Sequence, residues 1–361
     1  MKKKIIALLV CVALLAALGV GCGSNGNQSG DNGAPAGGES STETKKYALI
    51  LGTGGLGDQS FNDLTYEGMK RAEAELGIKF DYVEPKEVAD FEIFQNDLAS
   101  TGEYDLIVCV GFDQVDALAK VAAEYPEQKF ALIDAELELP NVVCYVSEEH
   151  EGSFLVGALA GLMKLEKADA RLNDQNVLGV VGALDIPLIR KFVAGFEAGA
   201  RYVNPDIEVL YDYVGDFSDP ATAKEIALSM NSKGADIIYH AAGGSGLGVF
   251  EAAKTNNFLA IGCNSNQNGI APDVIVASML KKVDTATYEA VKSAYEGTFK
   301  SGIYALGVKD EGIDYTIEGS SVEVPQSIID KVEELKAQIK SGAIQVPTDI
   351  PEVEGFLASQ N

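Results

Sequence analysis

The stretch YALILGTGGLGDQSFNDLTYEGMKRAEAELG, residues 47–77, contains the unit from which the fold can be predicted. It begins with an apolar run, Tyr47–Leu51, which is typical of a strand buried on both faces. A glycine-rich turn follows, and apolar residues then return at helical spacing. Ser60 and Asp63 form a capping-box pattern at the start of this helix, and Gly77 is expected to end it. The stretch is therefore predicted to form a strand, a turn and a helix.

The same alternation continues through the rest of the chain. The strand-like apolar runs are Tyr47–Leu51, Phe80–Val83, Leu106–Val110, Phe130–Ile133, Val142–Val146, Val177–Val181, Val209–Val214, Ile237–Tyr239, Leu259–Ile261 and Val274–Ser278. Further helical patterns lie near 113–124, 150–164, 188–203, 220–233, 245–257 and 283–299. Strand–helix–strand repetition predicts parallel sheets covered by helices on both faces. Two such series, 45–148 and 149–265, predict an α/β protein with two doubly wound lobes.

The overall charge excludes two classes of partner. The 361 residues carry a formal net charge of −26, and the length is sufficient for two domains. A polyanion of this size is repelled by nucleic acids and by anionic lipid headgroups. We therefore expect no nucleic-acid partner, and contact with a membrane only through an attached anchor.

The N-terminus has the form of a secretory signal. Three lysines at residues 2–4 precede an almost wholly apolar run that ends at residue 20. The run is short for a lasting membrane span, and small residues separate it from Cys22, which resembles a bacterial lipoprotein cleavage box. Leucine usually stands three places before that cysteine, where this chain has Gly19. We expect 1–21 to be a lipoprotein signal peptide and Cys22 the lipidated residue; the alternative is an ordinary signal peptide with a chance cysteine.

The next segment is predicted to be a flexible tether. Residues 22–44 consist mainly of small and polar residues and contain no aromatic residue, so they cannot bury enough surface to fold. A lipid at one end and a long tether suit a protein held at the extracytoplasmic face of the cell membrane. The folded part is expected to begin near Lys45.

Cysteine and histidine usage argues against a disulfide framework and against a metal site. Cys109, Cys144 and Cys263 each lie in or at the end of a predicted buried strand and form no C-x-x-C pair. Free core thiols are expected. His150 and His240 are the only histidines, and no Cys/His spacing fits zinc. We expect no metal and no cofactor.

Polar residues gather where the predicted strands end. In open parallel sheets, ligands bind beyond the carboxyl ends of the strands. Those ends are rich in glycine, carboxamide and carboxylate, with an aromatic ring as well, over 52–62, 111–113, 134, 240–246 and 262–267. This mixture suits a neutral, hydroxyl-rich ligand, since carboxylates accept hydrogen bonds from vicinal hydroxyls and a ring covers an apolar face.

Each of these residues also has a purely structural interpretation. Asp134 could cap the next turn, and Phe61 fits the apolar stripe of its own helix. The glycines of 243–248 follow a strand but lack the G-x-G-x-x-G spacing of a dinucleotide loop, which favours a close-packed turn.

Seven short motifs follow one another between residues 45 and 300. They are DQSFN at 58–62, GF at 111–112, FALID at 130–134, EGSFLVG at 151–157, GFEAG at 195–199, GADII at 234–238 and AAGGSG at 241–246. Their sequence and order resemble the basic membrane protein family, lipoprotein receptors of the purine-nucleoside-binding kind that serve ABC importers. The chain is identified as a member of this family on these motifs.

The resemblance implies a type I periplasmic-binding-protein fold, with two doubly wound parallel-sheet lobes joined by a hinge. Both lobes are expected to be discontinuous in this fold. The N-terminal lobe then comprises 45–148 and 266–300, and the C-terminal lobe 149–265 and 301–345.

The resemblance also assigns roles to residues at the strand ends. Phe61 would stack on the base, Asn62 would hydrogen-bond its edge, Asp134 would accept from the ribose hydroxyls, and Lys281 would lie near the sugar. With the strand-end residues added, the predicted ligand-binding set is Phe61, Asn62, Asp134, Gly243, Gly244, Asn264 and Lys281.

Two positions depart from the family pattern. The family usually has aspartate where this chain has Gly52, and a G-V-D-x-D-Q stretch where this chain has GCNSNQ at 262–267. Both changes remove carboxylates that would accept hydrogen bonds, and Asn264 is neutral and also donates. Because a site built to hydrogen-bond a group rejects analogues that lack it, we expect a shift away from guanosine and inosine.

These observations predict a non-enzymatic receptor that binds a nucleoside, with purines favoured, or a related ribosyl compound between its lobes. Hinge closure around the ligand would let it dock on an ABC permease. One alternative is a receptor for a free sugar or another small polar solute, which needs the aromatic platform of Phe61 less. Another is a nucleoside-processing enzyme, but the chain has no nucleophile elbow, metal cluster or phosphate loop.

Overall fold

The computed structural model describes residues 45–360, so the predicted signal peptide, Cys22 and the tether lie outside the described residues. The strands are β1 Lys46–Ile50, β2 Lys79–Val83, β3 Leu106–Val110, β4 Phe130–Ile133, β5 Val142–Ser147, β6 Val177–Gly182, β7 Glu208–Tyr213, β8 Ile237–Ala241, β9 Leu259–Asn264, β10 Ile275–Lys281, β11 Gly302–Leu306 and β12 Ile313–Thr316. The helices are α1 Phe61–Leu76, α2 Asp90–Thr101, α3 Val115–Glu124, α4 Glu149–Glu166, α5 Pro187–Val203, α6 Pro220–Ser232, α7 Leu247–Asn256, α8 Val283–Tyr295, α9 Gln326–Lys340 and α10 Val353–Ser359.

The strands form two six-stranded sheets, which confirms the predicted α/β class. The first sheet has the order β11-β5-β4-β3-β1-β2, and its strands are parallel throughout. The second has the order β12-β10-β9-β8-β6-β7, in which β12 alone runs antiparallel to its neighbour. Both sheets reverse strand order next to their first strand, which creates a crevice at the carboxyl ends of the strands.

Apolar residues lie on both faces of each sheet because helices cover both. In β3, Leu106, Val108 and Val110 belong to one buried apolar cluster, whereas Ile107 and Cys109 belong to another. Because side chains in a strand alternate with a period of two, neighbouring residues point to opposite faces of the sheet. A continuous apolar run with both faces buried is the pattern from which these strands were predicted.

The chain passes between the sheets three times, after β5, after β10 and after β11. The division into lobes stays a prediction, but two strands pair differently from it. The prediction placed 266–300 with the first lobe, yet β10 pairs with β9 and β12 in the second sheet. It placed 301–345 with the second lobe, yet β11 pairs with β5 in the first. Strand pairing is a long-range choice that apolar periodicity does not encode.

The start of α1 differs from the predicted capping box. Ser60 stands at the N-cap, but its side chain caps no backbone group. The Asp58 carboxylate takes this role and accepts from the backbone N–H groups of Ser60, Asn62 and Asp63 at 2.9, 2.8 and 3.2 Å. The predicted end is confirmed, since Gly77 adopts the left-handed conformation at φ 69°.

Sequence patterns missed α2, β11, β12, α9 and α10. In α2 the buried positions are Phe91, Gln95 and Ala99, so a polar residue interrupts the apolar stripe. Gln95 is tolerated there because its amide donates to the side chain of Gln114 at 3.0 Å. The edge strand β11 was missed because three of its five residues are exposed.

Cys109, Cys144 and Cys263 are free and buried, as predicted. Within residues 45–360, no helix is both long and apolar enough to cross a bilayer. The same part of the chain contains no group of three or more His, Cys, Asp or Glu side chains that could hold a metal ion.

Candidate functional site

All seven residues of the predicted ligand-binding set line one cavity, which lies at the carboxyl ends of strands from both sheets. The space not filled by atoms, open mouth included, is about 750 Å³. The residues named from the strand ends and from the family resemblance therefore lie together in the structure. Their roles in binding stay predictions.

The loop after β1 is held by Asp58 and Asn62. The Asn62 side chain accepts from the backbone N–H of Gly52 at 2.9 Å and donates to the Asp58 carboxylate at 3.1 Å. Burial raises the pKa of the Asp58 carboxyl, and the backbone N–H groups at the start of α1 oppose that rise. The side-chain oxygen and one amide proton of Asn62 are therefore engaged in hydrogen bonds within the loop. Its second amide proton remains available to a ligand.

Gly52 leaves room where a side chain would meet this network. A Cβ atom there would lie 3.3 Å from Asn62 Oδ1 and 3.5 Å from the carbonyl oxygen of Val110. The Cβ atom of an aspartate at this position would therefore contact two oxygen acceptors.

The charged part of the cavity centres on Lys281 at the end of β10. Its ammonium donates to the carboxylates of Asp134 and Glu149, the latter at 2.9 Å, and all three side chains are at least nine-tenths buried. Lys191 on α5 lies 3.6 Å from the second oxygen of Glu149. Sequence reasoning missed Glu149, which begins α4 and therefore precedes the recognisable helical pattern.

The titration of this cluster follows from burial and pairing. Burial raises the pKa of Asp134 to about 6, while Lys281 opposes the rise and Glu149 adds to it. Burial lowers the pKa of Lys281, but the two carboxylates outweigh it and the net shift is upward. Lys281 therefore stays charged, and its ammonium holds the Asp134 carboxylate beside the cavity. Asp134 sits in the left-handed region at φ 74°, which turns the chain sharply after β4.

Four phenylalanine rings line the cavity, of which only Phe61 was predicted. The rings of Phe61 and Phe192 lie 5.4 and 5.6 Å from the Lys281 ammonium, distances suited to cation–π attraction. The rings of Phe112 and Phe217 lie 6.4 Å apart at 51°. Phe112 lies in the predicted strand-end segment 111–113, although no ligand contact was assigned to it. Phe217 and Phe192 come from a loop and from the buried stripe of α5, where the sequence carries no strand-end signal.

The glycine turn after β8 allows the second sheet to approach the first. Gly243 has φ 55°, and a Cβ atom there would lie 3.3 Å from the Phe217 ring. A Cβ atom at Gly244 would lie 3.3 Å from the Phe217 carbonyl oxygen and 3.7 Å from Asp58. The close-packed turn, rather than a dinucleotide loop, is what the structure contains.

Two loops from opposite sheets are joined by hydrogen bonds at the edge of the cavity. Asn264 donates to the Ser60 hydroxyl at 2.9 Å, and Ser265 and Gln267 donate to the carbonyl of Gln59 at 2.7 and 3.1 Å. His240 is buried and contacts the Gln267 oxygen at 2.9 Å, and burial lowers its pKa to about 4.

Comparison with known proteins gives a matching family, similar sequences and a similar fold. Residues 45–349 match the model of a family described as ABC transporter substrate-binding protein, PnrA-like. An uncharacterized lipoprotein of Pyrococcus abyssi is 36% identical over 87% of this chain and 77% of its own length. The ABC transporter nucleoside-binding protein BmpA of Lactococcus lactis is 28% identical over 96% of this chain and all of its own. The crystal structure of an ABC transporter system solute-binding protein from Aeropyrum pernix is 33% identical, covers 87% of this chain and 98% of its own, and has a TM-score of 0.79.

Proposed function

The chain belongs to the family of PnrA-like ABC transporter substrate-binding proteins, and from that premise we propose that it is a lipid-anchored extracytoplasmic receptor for a nucleoside, with purines favoured. Its ligand would occupy the cavity between the two sheets. Its partner would be an ABC permease.

The observation that carries the nucleoside proposal is the combination of aromatic rings and a buried carboxylate in one cavity. Phe61 and Phe217 offer apolar faces for a flat base. The Asp134 carboxylate, held by Lys281, offers an acceptor for ribose hydroxyls. The nucleoside-binding name of the Lactococcus relative supports the same ligand class.

The proposed anchor rests on the sequence around Cys22 and on the lipoprotein names of similar proteins. A Cys22→Ala variant should move from the membrane fraction to the soluble fraction after cell lysis. The same distribution for both chains would contradict lipidation at this residue.

Calorimetric titration of the full chain in a mild detergent tests the ligand. The probes are guanosine, inosine, adenosine, uridine and cytidine, together with their free bases, ribose and glucose. We expect one of the nucleosides to bind, while its free base and ribose bind at least tenfold more weakly, because only the nucleoside uses both the rings and Asp134. Binding of a sugar and of no nucleoside would favour the free-sugar receptor instead.

A matched pair of variants tests the aromatic platform. Phe61→Ala should weaken nucleoside binding at least tenfold, since stacking on an aromatic side chain contributes about 1–3 kcal/mol per base. Phe94→Ala on α2 removes a ring of equal size that does not line the cavity. Equal affinities in the two variants would contradict a stacking role for Phe61.

A further inference from the structure

The Asp113 carboxylate lines the cavity, and no other residue among 45–360 pairs with it. β3 ends at Val110, and Asp113 lies in the short 3-10 turn that follows it. Its side chain is half-buried among the cavity residues. Within residues 45–360 it forms no ion pair, and its only hydrogen bond is to its own backbone N–H.

The other two carboxylates that line the cavity are already engaged. Asp58 accepts three backbone N–H groups and the Asn62 amide. Asp134 is paired with the buried Lys281 ammonium. Of the three carboxylates in the described cavity, Asp113 therefore has the most capacity to accept hydrogen bonds from a ligand.

A half-buried carboxylate without a partner is costly for the ligand-free protein. Burial raises the pKa of Asp113 to about 6, because the charged form loses water contacts and gains little in exchange. Its position shortly before α3 offsets part of this cost, since a negative charge is favoured near a helix N-terminus. Asp116 in the first turn of α3 has the same advantage while remaining exposed, so helix capping does not account for a carboxylate in the cavity.

The surroundings of Asp113 point to the base rather than to the ribose. It directly follows Phe112, whose ring packs against that of Phe217. The alternative acceptor, Asp134, belongs with Lys281 and Glu149 in the charged cluster. A carboxylate beside aromatic rings is placed to accept from the edge of a stacked ring.

We propose that Asp113 accepts a hydrogen bond from an N–H donor on the edge of the base and so determines which nucleosides bind. This inference rests on the proposed nucleoside-binding function. It predicts that bases with a ring N–H or an exocyclic amino group at that edge are preferred, and that analogues without that donor are rejected, because the carboxylate would then be left without a partner.

Calorimetry with the full chain tests the inference, using the tightest of the five ribonucleosides as the probe. It is compared with its N-methylated form, which is 1-methylguanosine, 1-methylinosine, N6,N6-dimethyladenosine, 3-methyluridine or N4,N4-dimethylcytidine, and with its 2′-deoxy form. Three proteins are titrated: the native chain, Asp113→Asn, and Asp116→Asn, a control with the same loss of charge three residues further along, in the first turn of α3.

We expect Asp113→Asn to weaken binding of the unmodified nucleoside about 10- to 100-fold, as for a lost hydrogen bond to a charged group. N-methylation should weaken binding to the native chain by a similar factor and have little effect on Asp113→Asn. The 2′-deoxy form should show the same loss in the variant as the ribonucleoside does. Asp116→Asn should bind like the native chain.

The outcomes separate this inference from the function on which it rests. If the native chain binds a nucleoside and Asp113→Asn binds it equally well, the role of Asp113 is wrong and the receptor function stands. If the loss depends on the 2′-hydroxyl rather than on the base N–H, Asp113 contacts the ribose and the inference is also wrong. If no nucleoside binds to the native chain, the proposed function fails and the inference with it.

Discussion

At the scale of single residues, the carboxylates of the cavity differ in what they cost the folded protein. Asp134 is paired with the Lys281 ammonium, whereas Asp113 has neither a cation nor a set of N–H donors around it within residues 45–360. Active and binding sites commonly keep such unfavourable groups because a ligand needs them. Stability measurements can therefore reveal a functional residue without any ligand.

Asp113→Asn is expected to stabilise the ligand-free protein at pH 7 by about 1–2 kcal/mol, since its folded-state pKa is raised to about 6. A raised pKa means that the folded state holds the proton more tightly than the unfolded state does. The free energy of unfolding therefore falls as the pH rises through this range, and the full cost of the carboxylate is present at pH 7. Urea denaturation at pH 7 measures the gain.

The same variant should show almost no gain at pH 4, where the native Asp113 is protonated in the folded state. Asp116→Asn is the control at both values, because its carboxylate is exposed. A loss of stability in Asp113→Asn at pH 7 would mean that the carboxylate has a stabilising partner in the folded protein.

At the scale of elements, α1 begins with a cap that its local sequence does not reveal. Asp58, two residues before the apparent N-cap Ser60, accepts the N–H groups of the first turn. Asp63 in turn accepts from the backbone N–H groups of Gly57 and Gln59 at 2.8 and 3.0 Å. Local patterns thus identify the start of a helix better than they identify which side chain caps it.

Asp58→Ala should destabilise the protein by about 2 kcal/mol, the upper end of measured cap losses, because several N–H groups lose their acceptor. Hydrogen exchange of the backbone N–H groups of Asn62 and Asp63 should accelerate in this variant. In Ser60→Ala these same amides should stay protected, since the Ser60 side chain accepts from none of them. Faster exchange in the serine variant would restore the capping box predicted from sequence.

Helices α4 and α5 pack closely against each other, and glycines make this approach possible. A Cβ atom at Gly199 would lie 2.0 Å from the carbonyl oxygen of Phe154, and one at Gly157 would lie 2.2 Å from that of Phe196. Neither contact is possible without moving the helix backbone.

Gly199→Ala should therefore destabilise the protein by roughly 3 kcal/mol or more, in the range of overpacked cores. Gly355→Ala is the matched control, because Gly355 also lies in a helix, α10, but a Cβ atom there would meet nothing within 4 Å. The control should be neutral or up to about 1 kcal/mol stabilising, from helix propensity alone. Urea denaturation of both variants tests this, and equal stabilities would contradict the close approach of the helices.

At the scale of the whole molecule, three chain crossings connect two sheets whose loops also touch across the cavity. The contacts of Gln59 and Ser60 with residues 264–267 form only when the sheets are close. A ligand held by residues of both sheets favours this arrangement over an open one. The nucleoside that binds most tightly should therefore lower the radius of gyration measured by small-angle X-ray scattering. Phe61→Ala at the same nucleoside concentration serves as the control, and an unchanged radius at saturation of the native chain would contradict closure.

The local architecture of this protein can be predicted from its amino-acid sequence. Buried strands, the left-handed Gly77 and the polar strand ends each depend on residues close together in the chain, so periodicity and composition suffice to predict them. Because parallel strands place their carboxyl ends at one edge, the sequence also indicated which residues would line a common cavity.

The contacts of those residues, in contrast, follow from the folded structure. The pairing of β10 with β9 and β12 and that of β11 with β5 join residues far apart in the chain. So do the burial of Lys281 between Asp134 and Glu149 and the position of Phe217 in the cavity. Such contacts are selected by the packing of the whole molecule, because each buried charge needs a partner and each sheet face needs a cover. Patterns among neighbouring residues do not indicate which distant residue provides that partner or that cover.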